Sequence, residues 1–423
     1  MPKQYLPLVD GNSLFENTVW RHSQLCSSHI VVTNASQFAL AKRQMGHAQT
    51  TYILESIGRN TAPAIGMACR ILPEDAVVLV TPSDHLIRNE KAYHNAVLKA
   101  AEFAGEGFLV TFGVEPEYPE TGFGYIQAEG SVVVAFKEKP DIATAESYIQ
   151  QGGYYWNAGI FCFQAGTYLQ ELKRLVPDLY HAIMAAPTLG KSTDQDDCYR
   201  PNMEEMLAMT DISIDYAVLE HSDKVRVVPC RMGWSDLGSF DALEAEFPKD
   251  PNGNTVNSSN CLNLNAHNNL LLNFGSQKIV VQDADQMLVV NTEDAIYIGR
   301  KGHSQGLREV VKILQKENSA LLETHPELFT TYGSLRLLDC RAHNIVVELT
   351  VHTIPTGNLT LGAKDLLDHP LLGERLSKIN EAYSMVCLSL NADAFGNKSD
   401  AITLQEWNLT VSVPGKFLLV IQN

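Results

Sequence analysis

Residues Val77-Val78-Leu79-Val80-Thr81-Pro82-Ser83-Asp84-His85 decide how the chain is read. Four apolar residues, three of them β-branched, predict a strand buried on both faces, as in a parallel sheet. Pro82 cannot donate to a ladder, so the strand stops before it. Asp84 is then expected just past the carboxyl end of a central strand, the edge where open α/β sheets bind ligands. A carboxylate there suits Mg²⁺, which takes oxygen ligands and shares them with substrate phosphates. The plain alternative is that Asp84 caps the next turn.

Working outward, Ile30–Thr33, Tyr52–Glu55, Phe108–Gly113, Val132–Phe136 and Val225–Pro229 read as strands. Residues 13–22, 36–45, 92–104 and 168–175 read as helices, with Ser36 a candidate N-cap; a short helix over 213–220 is capped by Ser213. The alternation to about residue 245 predicts an α/β sheet domain.

The candidate site residues cluster at the ends of these elements. In Gly58-Arg59-Asn60-Thr61-Ala62-Pro63-Ala64, Asn60 and Thr61 are N-cap residues and Pro63 fits the first turn. A helix N-terminus favours a phosphate or a polar base edge, although a plain capped helix needs the same residues. In Glu120-Thr121-Gly122-Phe123-Gly124-Tyr125-Ile126, the glycines permit close backbone approach to a ligand, or a hairpin bend. Lys139, set at a strand end by Pro140, can meet a phosphate or join a solvated charge cluster with Lys137 and Glu138. Tyr154-Tyr155-Trp156-Asn157-Ala158-Gly159 suits a sugar, Asn157 serving hydroxyls beside aromatic walls, or ordinary core. Gly233-Trp234-Ser235-Asp236-Leu237-Gly238-Ser239 carries a second carboxylate at a strand exit. If Asp236 meets Asp84 in space, the pair forms a Mg²⁺ site with positions open to phosphate oxygens.

Composition narrows the partners. The 423 residues allow two or three domains, and 45% hydrophobic content allows a sizeable core. A net charge of −17 argues against nucleic acid and anionic membrane surfaces. Eight scattered cysteines without a Cys-x-x-Cys suggest a reduced compartment. With neither a membrane-length apolar run nor a signal pattern, the expected location is the cytoplasm.

Beyond residue 248 the pattern changes. Asn252 to Asn273 holds nine asparagines between short strands, which predicts stacked β-coils because asparagine tolerates left-handed turns. Ser304–Gln315 is an amphipathic helix with Leu307, Val310, Val311 and Leu314 on one face. From Tyr332 the chain is β-rich, and His343, His352 and His369 lack the His-x-His spacing of a metal barrel.

The motif pieces together resemble the long bacterial mannose-1-phosphate guanylyltransferases, or GDP-mannose pyrophosphorylases. Pro2-Lys3-Gln4, Gly58–Ala64, Thr81–His85, Glu120–Ile126, Phe136-Lys137-Glu138-Lys139-Pro140, Trp156–Gly159, Ser213-Ile214-Asp215-Tyr216-Ala217 and Gly233–Ser239 stand in the family's order. The resemblance covers roughly Met1 to Leu314. It implies a Rossmann-like nucleotidyltransferase domain (1–248), a short β-helix (249–300), a helical linker (301–331) and a degenerate cupin-like β-rich remnant (332–423). It implies GTP and mannose 1-phosphate as substrates, GDP-mannose and pyrophosphate as products, and possible homo-oligomers. By motif, Asp84 and Asp236 would hold Mg²⁺. Lys139 would bind the sugar phosphate, with Glu138 and Asn157 on sugar hydroxyls. Asn60 and Thr61 would face the nucleotide, Gly124 would line the substrate, and Lys3 would bind a phosphate near the reacting centre.

The family pattern begins with a strand and a loop of the type Gly-Gly-x-Gly-x-Arg, whereas the given sequence opens at Pro2-Lys3-Gln4. The expectation is therefore an enzyme that, as given, is marginally soluble and nearly inactive in GDP-mannose synthesis, missing a strand and a phosphate cradle, with a non-catalytic binder of a nucleotide-sugar or a partner protein as the alternative. The lack of a His-rich motif after Tyr332 carries the further expectation of no phosphomannose isomerase activity.

Overall fold

A computed structural model describes residues 2–8, 11–46, 49–137, 139–186, 197–292, 294–303, 306–317, 327–330, 333–340, 344–352, 359–361, 384–389, 402–405, 408–411 and 415–422. The chain divides into two compact units, Pro2–Leu237 and Gly238–Asn423. No helix among the described residues is long and apolar enough to cross a membrane.

The first unit contains β1 (His29–Asn34), β2 (Thr50–Glu55), β3 (Val77–Val80), β4 (Leu86–Ile87), β5 (Leu109–Val114), β6 (Tyr125–Glu129), β7 (Val132–Lys137), β8 (Tyr154–Gln164), β9 (Asp197–Tyr199), β10 (Val225–Cys230) and β11 (Trp234–Ser235). Four of its helices matter below: α1 (Leu14–His22), α2 (Phe38–Met45), α3 (Thr61–Arg70) and α4 (Glu90–Gly105). A six-stranded sheet runs β3-β8-β5-β10-β7-β6, and a separate parallel sheet runs β1-β2-β9.

The larger sheet has a core on each face because its buried strands alternate. Leu109, Phe161 and Phe163 pack with Ala62, Ile65 and Cys69 of α3. Val110, Phe112, Ile160 and Cys162 pack with Tyr93, Val97 and Ala100 of α4. Leu109–Val114 is buried throughout, as a central strand must be.

Three local expectations are corrected. Val77–Val80 is a strand, but an edge strand: β3 pairs only with β8, antiparallel, among the described residues, and Val77 is 48% exposed. Its apolar residues face a cavity rather than a neighbouring strand. Ser36 does not cap α2. Asn34 accepts from Ser36 N at 2.9 Å and opens a 3₁₀ turn, Ala35–Gln37, ahead of the helix. Residues 215–219 form one wide π turn rather than an α-helix, with Ser213 Oγ accepting from Tyr216 N at 3.4 Å.

The second unit opens with stacked coils built from β12 (Thr255–Val256), β13 (Cys261–Leu264), β14 (Leu270–Asn273), β15 (Ile279–Gln282), β16 (Met287–Asn291) and β17 (Ile296–Arg300). β12, β14 and β16 pair in parallel, as do β13 and β15. Asn265 and Asn268 turn with positive φ of 50° and 55°. Asparagine side chains climb from coil to coil: Asn269 Nδ2 donates to Asn254 Oδ1 at 3.1 Å, and Asn291 Nδ2 donates to Asn273 Oδ1 at 2.9 Å. In the helix Leu307–Lys316, Leu307, Val311 and Leu314 are half-buried while Val310 is exposed, so the apolar face is narrower than its periodicity predicts. Beyond it, the described strands form a five-stranded antiparallel sheet and a three-stranded one.

Candidate active site

Two very short strands bring the two aspartates together. β4 and β11 pair antiparallel, with Ser235 opposite Leu86 and Trp234 opposite Ile87. Asp84 comes just before β4 and Asp236 just after β11, so both leave the same end of this ladder. The bend after β11 is tight: Leu237 has a positive φ of 46°.

Lys3 fills the space between them. Its Nζ lies 2.8 Å from Asp84 Oδ2 and donates to the Asp236 backbone oxygen at 2.8 Å and that of Leu237 at 3.4 Å. The ammonium marks a point that gathers oxygen atoms around a positive charge.

His85 completes this corner. Trp234 Nε1 donates to His85 Nδ1 at 3.1 Å, which leaves the ring proton on Nε2, 4.0 Å from Asp84 Oδ1. Burial pushes the His85 pKa down to about 4, although Asp84 and Asp236 both act to raise it. The imidazole is therefore neutral at pH 7, and both carboxylates lie within its electrostatic reach.

An aromatic chain joins this corner to the sugar-type motif. Phe123 packs edge-on against Trp234 at 5.1 Å and Trp156 at 5.4 Å, and Tyr118 meets Trp156 at 4.9 Å. Asn157 follows Trp156, and its N donates to the Gly124 oxygen at 2.9 Å. The Asn157 amide is held on both sides: Nδ2 donates to Asp215 Oδ1 at 2.7 Å, and Oδ1 accepts from Thr111 Oγ1 and Gly159 N, each at 3.2 Å. Gly159 has φ +65°, a bend that favours glycine. Tyr125 faces Lys137 on β7 and Trp156 on β8, so Lys139 and Asn157 lie near the ends of strands that flank β6. Lys139 is exposed, with a positive φ of 39°. Glu138 lies outside the described residues.

The start of α3 departs from an open phosphate cradle. Asn60 has φ 67°, and its Oδ1 takes the Thr61 N–H at 2.9 Å. The Ala62 N–H goes to Ile212 O at 3.1 Å, and Pro63 has none. Thr61 Oγ1 accepts from Ile214 N at 2.9 Å, and Arg59 Nε donates to Met209 O at 2.8 Å. Residues 209–214 are thus stapled across the helix start. Asn60 and Thr61 remain exposed, able to offer polar edges rather than a nest of free N–H groups.

Three functional partners carry no role in the sequence reading. Trp234 holds the His85 ring beside Asp84, and Asp215 fixes the Asn157 amide. Each stands inside a motif piece, but its side-chain contact spans 58 residues or more and has no periodic signal. Of the late histidines, His352 is exposed, and His343 and His369 lie outside the described residues.

The donor chemistry fits a hard cation. No group of three or more His, Cys, Asp or Glu side chains among the described residues could hold a metal alone. One or two carboxylates completed by substrate phosphates is the arrangement Mg²⁺ takes.

Comparison with known proteins gives the family. Residues 1–253 match the sequence model of the Nucleotidyl transferase family. The xanthan biosynthesis protein XanB of Xanthomonas campestris pv. campestris (strain B100) is 36% identical over 362 residues, covering 83% of this chain and 76% of that protein. A mannose-1-phosphate guanylyltransferase of Salmonella montevideo is 35% identical over 367 residues, covering 83% and 77%. Among solved structures, a Thermus thermophilus protein described as a mannose-1-phosphate geranyltransferase superposes with TM-score 0.63 at 30% identity, covering 74% of this chain and 92% of that one. A Helicobacter pylori protein described as mannose-6-phosphate isomerase gives 0.53 at 37%, covering 55% and 94%. Identity of this order across three quarters of the curated relatives, with aspartates and a lysine gathered at one strand-end corner, places the chain in the nucleotidyl transferase family, among the mannose-1-phosphate guanylyltransferases.

Proposed function

We propose that the chain transfers a guanylyl group from GTP to mannose 1-phosphate, giving GDP-mannose and pyrophosphate. A sugar-phosphate oxygen attacks the α-phosphorus in line. The new P–O bond forms as the bond to the leaving pyrophosphate breaks. The observation that carries this reading is the Lys3 ammonium held between Asp84 and the Asp236 backbone.

Transfer of this kind depends on positioning and charge neutralisation more than on a general base. Lys3 meets a phosphate of the reacting centre, and Lys139 meets the sugar phosphate. Asn157, its amide fixed by Asp215, and Glu138 serve sugar hydroxyls, beside the Gly124 backbone. Asn60 and Thr61 offer their exposed polar groups to the nucleotide. Nucleotidyl transferases of this family use a divalent metal, and Mg²⁺ is the ion proposed here, with Asp84 and Asp236 as the residues that would hold it. Bound there, it would offset charge on the non-bridging phosphate oxygens. Residues 1–248 carry the chemistry, followed by the coils of 249–300, the linker 301–331 and a cupin-like remnant, 332–423. A cytoplasmic setting, an absence of nucleic-acid and membrane partners, and a homo-oligomeric state belong to the same proposal.

The test is pyrophosphate release by the purified chain with mannose 1-phosphate and each of the four nucleoside triphosphates, with and without Mg²⁺. Turnover with GTP that Mg²⁺ restores after chelation supports the reading. Saturable GDP-mannose binding with neither pyrophosphate release in the forward direction nor GTP formation from GDP-mannose and pyrophosphate overturns it.

A further inference from the structure

β17, the last strand of the coils, ends its sheet. The order is β12-β14-β16-β17, so among the described residues β17 has a neighbour on one side only. The hairpin with β16 fixes which groups face the other side. Thr292 N donates to Ala295 O at 2.9 Å at one end, and Lys301 N donates to Gln286 O at 2.8 Å at the other. Odd-numbered residues from 295 to 301 therefore bond inward to β16, and the N–H and C=O groups of Ile296, Ile298 and Arg300 point outward.

The side chains at this edge are apolar and uncovered. Ile296 is 63% exposed and Ile298 62%. Val289, the register partner of Ile298, packs with Leu271 and Val281 inside the coils, and Ile298 continues that face beyond them. A free edge is ordinarily blunted by Lys or Pro, but residues 295–299 read Ala-Ile-Tyr-Ile-Gly.

Opposite charges flank this apolar centre. Asp294, in the bend before β17, and Arg300, its last residue, are both exposed. Asp294 Oδ1 accepts from Thr292 Oγ1 at 2.7 Å, and Arg300 Nη2 lies 3.5 Å from Gln286 Oε1. Neither charge joins a salt bridge among the described residues. Tyr297 stands midway between them in sequence.

We propose that β17 pairs antiparallel with β17 of a second copy, about a twofold axis through Tyr297. In this register Ile296 lies opposite Ile298 of the second copy, and each such pair exchanges both N–H···O bonds. Asp294 comes level with Arg300 of the second copy, on the face that carries the isoleucines. Sliding the pair by two residues sets Asp294 or Arg300 against an isoleucine, so the charges select the register. An antiparallel partner must present an acidic residue, an apolar centre and a basic residue in the same order, which is the order of β17 itself. This gives a surface to the homo-oligomeric state proposed above and draws nothing from the catalytic corner.

The test is sedimentation velocity on the full chain over a concentration series. The interface is small, so a monomer–dimer equilibrium in the micromolar range is expected. Ile298→Lys, a charge at the centre of an exposed edge, should leave only monomer without lowering the melting temperature of dilute protein. Asp294→Arg and Arg300→Asp should each weaken the dimer about tenfold, because like charges then face each other twice. The double variant reverses both pairs and should return to within about threefold of the original. As the dimer forms, amide exchange should slow at Ile296 and Ile298 but not at Tyr297, which already bonds to β16. A chain that stays monomeric throughout, a dimer insensitive to Ile298→Lys, or a double variant no better than either single one overturns the proposal. A dimer held elsewhere overturns it too while leaving the homo-oligomeric state standing. Pyrophosphate release is read in none of these arms, so failure here is distinct from failure of the transferase reading.

Discussion

Two glutamates, Glu244 in the coil-bearing unit and Glu55 in the first, meet burial in opposite ways. Glu244, in the coil-bearing unit, accepts from Lys301 Nζ at 2.7 Å and Thr255 Oγ1 at 3.2 Å, with Lys249 Nζ at 3.4 Å. Burial alone would push its pKa up, but the hydrogen bond and charge of Lys301 and Lys249 outweigh it and the pKa lies low. Glu55, at the end of β2, has a buried Oε1 without a partner, and burial pushes its pKa up to about 7. The lesson is that cationic partners, rather than burial alone, decide whether a carboxylate keeps its charge. The proposed chemistry lies in the first unit, where Asp84 follows β3 and pairs with Lys3, and the coil-bearing unit is proposed as scaffold.

The largest break in that comparison comes at the corner held by Lys3. Asp84→Ala removes one of two carboxylates at this corner and the 2.8 Å ion pair of the Lys3 ammonium. Pyrophosphate release is expected to fall by about 10³-fold or more, on the order of 4 kcal/mol in the transition state. Melting should change little, because Asp84 is partly exposed and an exposed ion pair contributes about 0–1 kcal/mol. Kinetics and calorimetry on the same variant check both halves. A stability loss as large as the rate loss would make Asp84 a structural residue.

In the scaffold the expected pattern reverses. Asn269 is fully buried; its Nδ2 serves Asn254 and Ala284, and its Oδ1 accepts from Met287 N at 2.8 Å. Asn269→Ala strands these partners and should destabilise the second unit by about 2–4 kcal/mol. Turnover measured at a temperature where both units stay folded should hold. Denaturant titration followed by activity separates the two effects.

The third prediction uses pH. Burial pushes His85 down to about 4, and pushes His22 down to about 3, helped by Arg21. Folding favours their neutral forms, so this stabilisation is complete above about pH 6.5 and is lost as pH falls towards those values. Glu55 acts in the opposite sense. The folded state binds its proton first, so the first unit gains stability as pH falls from about 7 to about 4.5. Glu55→Gln should therefore stabilise that unit at pH 8 by on the order of 2–3 kcal/mol and steepen its loss in acid. Melting curves from pH 4 to 8 check this. Destabilisation at pH 8 would mean that the carboxylate is charged and paired.

Much of this was legible in the residues, for identifiable reasons. Strand existence followed from apolar runs, and the coils followed from asparagines that both turn the backbone and bridge coils. The family followed from eight short pieces in order. What escaped was pairing at long range. Nothing within Val77–Val80 itself distinguishes a central strand from an edge strand, because its side chains are apolar in either setting. The helix start at Asn60 looked like an anion site because Ile212, whose oxygen takes the Ala62 N–H, lies 150 positions away, and Asn60 itself takes that of Thr61. His85, Trp234 and Asp215 have roles created by the fold alone.

The smallest expected effect tests whether positioning, rather than contact, is what Asp215 supplies. Its Oδ1 accepts from Asn157 Nδ2 at 2.7 Å, while Thr111 and Gly159 donate to the other end of the same amide. With a charged acceptor on one side and two donors on the other, only one orientation of the Asn157 amide satisfies all three. Asp215→Asn keeps the size but weakens the acceptor and lets the amide rotate. A hydrogen bond to a charged group is worth about 1.5–3 kcal/mol, and part of that is regained by the new amide. KM for mannose 1-phosphate should rise about tenfold, while kcat and KM for GTP stay within about twofold. Asp215→Glu, which keeps the charge, should recover part of the loss. A change in kcat with KM untouched would place Asp215 among the groups that act on the reacting phosphate, and the division between positioning and chemistry drawn for this sheet would have to move.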